Sequence, residues 1–118
     1  MFDNIKIDLE KYSVYNVLES GIDLQTMILL DYIYQCIKTG KVNTQKDVKG
    51  YTHYIVNISN YCKNSREITT SSDNMLRKLK NLADKGYLSI LMGRFNDPYF
   101  GYTRTAFKLN KKFTNLLK

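Results

Sequence analysis

The stretch "SSDNMLRKLKNLADKGYLSI", residues 71–90, decides how the rest of the chain reads. It opens on small hydroxyl residues. Thr70, Ser71 and Ser72 are each able to cap a helix, and Asp73 in the first turn suits the positive end of the helix dipole. Met75, Leu76, Leu79, Leu82 and Ala83 recur at i, i+3, i+4 and i+7, which is the apolar seam of an amphipathic helix. Lys85-Gly86 stops the pattern, and "YLSILM" follows as a strand. The outward face then carries Arg77, Lys78, Lys80 and Asn81.

Downstream, "GRFNDPYFG" (93–101) is a turn-rich connection punctuated by Asp97-Pro98 and two glycines. "YTRTAFKLN" (102–110) alternates and reads as the return strand of a hairpin. Arg94 then lies at the turn and Arg104 on the return strand, while Tyr99, Phe100 and Tyr102 read as cover for the hairpin base or, in the alternative, as rings that stack on bases or wedge into a groove. "KKFTNLLK" (111–118) predicts one or two helical turns.

Upstream, "GIDLQTMILLDYIYQCIKTGK" (21–41) predicts a helix capped by Asp23 and ended at Gly40. Its apolar stripe, Leu24, Met27, Ile28, Leu30, Ile33, Tyr34 and Ile37, is wide enough for a central helix covered on more than one side. Val42–Lys49 is polar and loop-like. Tyr51–Ile58 is β-branched and aromatic, a short strand leading into a helix that begins near Val56 or Ser59. A short helix over 57–63 turns Ile58, Tyr61 and Cys62 inward, and "KNSREITT" (63–70) is the turn after it. Near the start, "IKIDL" (5–9) alternates like a strand, and "YSVYNVLES" (12–20) is either a helical turn or an irregular arm.

At 118 residues, 43% apolar and 25% charged, the chain is expected to form one soluble domain. No apolar run approaches the roughly 20 residues of a membrane span, and the N-terminus lacks a signal-peptide core. The expected compartment is the cytoplasm, with Cys36 and Cys62 as reduced, small apolar residues. His53 is the single histidine. No metal-ligand spacing, phosphate loop or nucleophile elbow is present, so neither an enzyme nor a cofactor or metal protein is expected. Charge placement says more. Residues 1–60 carry six lysines, no arginine and seven carboxylates, a net of −1. Residues 61–118 carry twelve basic and four acidic side chains, a net of +8. Such a one-sided basic half points to a polyanionic partner, nucleic acid before membrane.

The order helix, strand, short helix, turn, amphipathic helix, hairpin is that of a winged helix-turn-helix. "NMLRKLKNLADKGYLSI" (74–90) resembles the recognition helix and first wing strand of small bacterial and phage regulators. "GYTHYIVNISNYC" (50–62) and "TRTAFKLNKKF" (103–113) are similar to segments of the N-terminal domains of phage replisome organisers and plasmid replication initiators. Those proteins usually continue into a second domain, whereas this sequence ends at Lys118. The stretch "KNSREITTSS" is also longer than the tight turn of the motif.

The resemblance implies an α+β fold: a bundle of three or more helices with a two- or three-stranded antiparallel wing. Residues 23–113 form the domain, 1–22 an N-terminal arm, and 114–118 a tail. It implies double-stranded DNA as the partner, in replication initiation or transcriptional control on a mobile element. Candidate DNA contacts are Ser71, Ser72, Asn74, Arg77, Lys78 and Asn81 on the helix and Arg94 and Arg104 on the hairpin. The alternative is a protein-binding module that acts on a host factor without DNA. A homodimer is expected, with apolar residues of 2–18 and Phe113, Leu116 and Leu117 as its surface.

Overall fold

A computed structural model describes residues 8–97 and 101–118. Among these residues the fold is α+β, with five α-helices and one four-stranded antiparallel sheet. After a 3₁₀ turn at Leu9–Lys11 come α1 (Val14–Ser20), α2 (Leu24–Thr39), β1 (Thr44–Lys46), β2 (Thr52–Ile55), α3 (Ile58–Asn64), α4 (Ser72–Asp84), β3 (Leu88–Asp97), β4 (Gly101–Leu109) and α5 (Lys111–Thr114).

Helix α2 is the centre. Asp23 caps it, its carboxylate accepting from the amide and the hydroxyl of Thr26 at 2.8 Å each. Every residue from Thr26 to Ile33 is buried. A helix buried all round must be enclosed, and α3, α4, the sheet and the terminal segments enclose it. Helix α4 begins as its sequence requires, with Ser71 Oγ accepting from the Asn74 amide at 3.3 Å. Its seam of Met75, Leu79 and Leu82 is buried. It ends in a Schellman motif. The Tyr87 amide donates to the Leu82 carbonyl and the Gly86 amide to Ala83, both at 3.0 Å, with Gly86 at φ +90° where a side chain would be strained. That motif reverses the chain directly into β3.

The strand order is β1-β2-β4-β3. Strand β1 was not expected: the stretch read as loop contains three residues paired with β2, Thr44 opposite Tyr54 and Lys46 opposite Thr52. All three are exposed, so no apolar alternation marks them. The sheet therefore has four strands rather than two or three. Strand β3 also runs through Asp97, so Arg94 lies on a strand and not at a turn. Its register slips between Met92, opposite Thr105, and Phe95, opposite Thr103. Gly93 and Arg94 together face Arg104, which is a β-bulge. A Cβ at Gly93 would stand 2.7 Å from the tip of the Phe95 ring, so a larger residue there would displace that ring. The bulge bends the hairpin enough for Asn43 Nδ2, just before β1, to donate to the Asn96 carbonyl at 2.9 Å across the curled sheet. Pro98, Tyr99 and Phe100 lie outside the described residues, as do Phe2 and Ile5–Ile7 with the strand expected there.

The two ends of the chain close the core together. Tyr12 bridges Leu117, the Ser13 amide donates to Leu116 at 2.7 Å and the Lys118 amide to Lys11 at 2.9 Å. Phe113 and Leu116, expected on a dimer surface, are instead in this chain's own core. Phe113 packs edge-on to Tyr12 and against Tyr34, with ring centroids 6.0 and 5.6 Å apart. Asp31, completely buried on α2, accepts from Tyr12 Oη at 2.7 Å, Gln35 Nε2 at 2.7 Å and Lys11 Nζ at 2.8 Å. Burial, then the Asp31 carboxylate, pushes the Tyr12 phenol far above its ordinary range.

Candidate nucleic-acid interface

The exposed face of α4 is fixed by the seam on its other side. At 100° per residue, Asp73, Arg77, Lys80 and Asp84 fall in one stripe, flanked by Asn74 and Asn81, and all six are exposed. Arg77 Nη2 donates to Asn74 Oδ1 at 3.3 Å, so the two side chains lie together along the helix.

The eight expected contacts divide. Asn74, Arg77 and Asn81 are on this face, and Ser71 stands at its start with its oxygen already engaged as the cap. Ser72 is half-buried in a small cleft between Ile58, Ser59 and the β4 residues Thr103 and Thr105. Lys78 turns away: its ammonium meets Asp23 Oδ2 at 3.0 Å. Burial raises the Asp23 carboxyl, but the Thr26 amide and hydroxyl and then Lys78 outweigh it and hold that carboxyl below its usual range. Lys78 thus has a surface ion-pair partner at the start of α2, its side chain still 36% exposed, while Lys80 is exposed and, among the described residues, without an ion-pair partner. The signal was in the spacing, since Lys80 shares the stripe with Asp73 and Arg77 and Lys78 sits 100° or more from it.

The hairpin reaches the same end of α4. Arg104 Nη2 lies 3.8 Å from Asp73 Oδ1, both groups mostly exposed, which is a weak contact energetically but fixes where the strand runs. Arg94 is exposed in the bulge opposite Arg104. Arg104 therefore extends the α4 face beyond its N-terminus, and Arg94 stands across the bulge from it. Asp73 and Asp84 offset Arg77 and Lys80 along the helix itself, so the positive excess of the surface comes from the hairpin.

Elsewhere the chemistry is structural. His53 is buried, with Nδ1 donating to the Tyr51 carbonyl at 3.1 Å and Nε2 meeting Ser89 Oγ at 3.0 Å. Cys36 and Cys62 are free and buried, and burial pushes their thiols up to about 12 and about 11, where they are poor nucleophiles. Among the described residues, no group of three His, Cys, Asp or Glu side chains is placed to hold a metal ion, and no helix is long and apolar enough to cross a membrane. No protein-family model, no curated protein and no solved structure matches the chain, so the α4 face and its hairpin stand on their own geometry.

Proposed function

We propose that this chain is a winged-helix protein that binds double-stranded DNA, with α4 as the groove-reading helix and the β3–β4 hairpin as the wing. The reading assigns it to replication initiation or transcriptional control on a phage, plasmid or other mobile element, in the cytoplasm. Its topology agrees: α2, β2, α3, α4, β3 and β4 follow in order, and β2 pairs with β4 rather than β3. The observation that carries the proposal is the continuity of Asn74, Arg77, Lys80 and Asn81 with Arg104 and Arg94 around Asp73. Arginine can hold guanine and asparagine adenine by two hydrogen bonds, each good pair giving about 1–3 kcal/mol of discrimination. The hairpin arginines suit phosphates or a minor groove.

Fluorescence anisotropy on a duplex across a salt series tests this. With about five phosphates neutralised, log K falls against log salt with a slope of about −4 to −5. Arg94→Ala weakens binding and flattens that slope by about one unit, as does Arg77→Ala if it touches phosphate. Absence of binding at low salt rejects the reading. A protein-binding module is the second reading, favoured by Asp73 and Asp84 in the centre of the α4 face.

The reading includes a homodimer, because two half-sites multiply specificity. Val14, Leu18 and Leu24 are 70%, 75% and 64% exposed and rim an apolar groove of about 260 Å³ floored by Tyr12, Val17 and Met27. A second copy covering that face removes it from water. Leu18→Glu then yields a monomer by sedimentation equilibrium, with a melting temperature equal to wild type only when both are dilute. A wild-type chain that is monomeric at high micromolar concentration rejects the dimer.

A further inference from the structure

A second basic surface lies at the opposite end of α4. The β1–β2 turn, the α4–β3 junction and the β4–α5 junction meet there. Lys108 Nζ lies 5.4 Å from the centre of the Tyr51 ring and donates to Asn110 Oδ1 at 2.8 Å. Asn110 Nδ2 reaches the Gly86 carbonyl at 3.4 Å. Lys112 Nζ donates to the Lys85 carbonyl at 2.8 Å and lies 4.6 Å from the centre of the Tyr87 ring. These contacts tie Lys85, Lys108 and Lys112 to the hairpin that carries Lys46 and Lys49, with Lys111 beside Lys112.

All of these lysines except half-buried Lys108 are exposed. Among the described residues, none of the six forms an ion pair with a carboxylate. Asp47, the nearest acid in sequence to Lys46 and Lys49, accepts the amides of Lys49 and Tyr51 at 2.9 Å each and holds the turn in shape. Six ammonium groups without carboxylate partners repel one another, and a polyanion relieves that repulsion.

The position of this cluster identifies the polyanion. Helix α4 has 13 residues and is therefore about 20 Å long. A major groove is about 12 Å wide, so such a helix reaches both of its walls. One end of α4 lies beside Arg104 and the other ends at Lys85. We infer that the lysine cluster is a second DNA-backbone contact, on the groove wall opposite the arginine hairpin. The inference rests on the DNA-binding reading above and adds to it that α4 is clamped at both ends. An anionic membrane would engage the cluster alone and leave the arginine hairpin unused.

The test is the triple variant Lys49→Gln, Lys85→Gln, Lys111→Gln, measured on the same duplex across the same salt series beside Arg94→Ala. The expected result is a slope less negative by about two to three units and an affinity at about 0.1 M salt lower by about two orders of magnitude. The melting temperature should be no lower than that of wild type, because three mutually repelling charges are removed. A wild type that binds duplex while the triple variant keeps its slope and affinity overturns the inference and leaves the DNA reading standing. A wild type that does not bind duplex removes both. Binding to phosphatidylserine-rich vesicles that the triple variant loses, without change on DNA, also overturns it and makes the cluster a membrane surface.

Discussion

Asp31→Ala is expected to lower the free energy of unfolding by about 3–5 kcal/mol, the range for removing one partner of a buried charged pair. The carboxylate is wholly inside the protein and satisfies three donors at once: Tyr12 Oη, Gln35 Nε2 and Lys11 Nζ. Alanine leaves the Tyr12 hydroxyl buried without its acceptor and Lys11 without its counter-charge. Asp31→Asn keeps an acceptor at Oδ1 and should lose distinctly less. Urea denaturation of the three proteins gives the comparison. A loss under about 1 kcal/mol for Asp31→Ala would mean that the N-terminal segment is not held to α2 by this residue.

Phe113→Ala is expected to cost about 3–5 kcal/mol, as large-to-small changes of fully buried aromatics do. The ring is inaccessible to solvent and meets Tyr12 and Tyr34. The measurement also decides between two roles for this residue. As core, its loss lowers the melting temperature at every protein concentration. As a dimer contact, its loss would leave the dilute protein unchanged and abolish association. Because Tyr12 touches both Phe113 and Asp31, the effects of Asp31→Ala and Phe113→Ala should not add.

How much of this was legible in the chain depends on the distance over which each feature is encoded. The cap at Ser71, the seam from Met75 to Leu82 and the glycine stop at Gly86 are local, and α4 follows from them. Asp23 and Gly40 delimit α2 in the same way. Strand β1 escaped because an exposed three-residue edge strand has no buried face to imprint a pattern. Residues 93–97 read as a turn because Gly93, Asn96 and Asp97 are turn residues by composition, whereas here they form a bulge and the strand beyond it. Lys78 looked like an outward contact because its partner, Asp23, is 55 residues away. The burial of Phe113 and Leu116 depends on Tyr12 at the other end of the chain. On the candidate face, the sequence shows that Asn74, Arg77 and Asn81 lie opposite the seam, but not that Lys78 pairs with Asp23 while Lys80 is left exposed.

The bridge between Tyr12 and Leu117 also has a kinetic meaning. It joins positions at opposite ends of the chain, so forming it early would close nearly the whole chain into one loop before any local contact compensates the lost entropy. Contacts among α3, α4 and the β3–β4 hairpin span far shorter stretches. The terminal latch is therefore expected to form after the folding barrier. Phe113→Ala should steepen neither arm of the denaturant chevron and should leave the folding rate nearly unchanged, with almost all of its effect in faster unfolding. In that sense the latch sets how long the protein stays folded, and the local contacts of α3, α4 and the hairpin set how quickly it gets there.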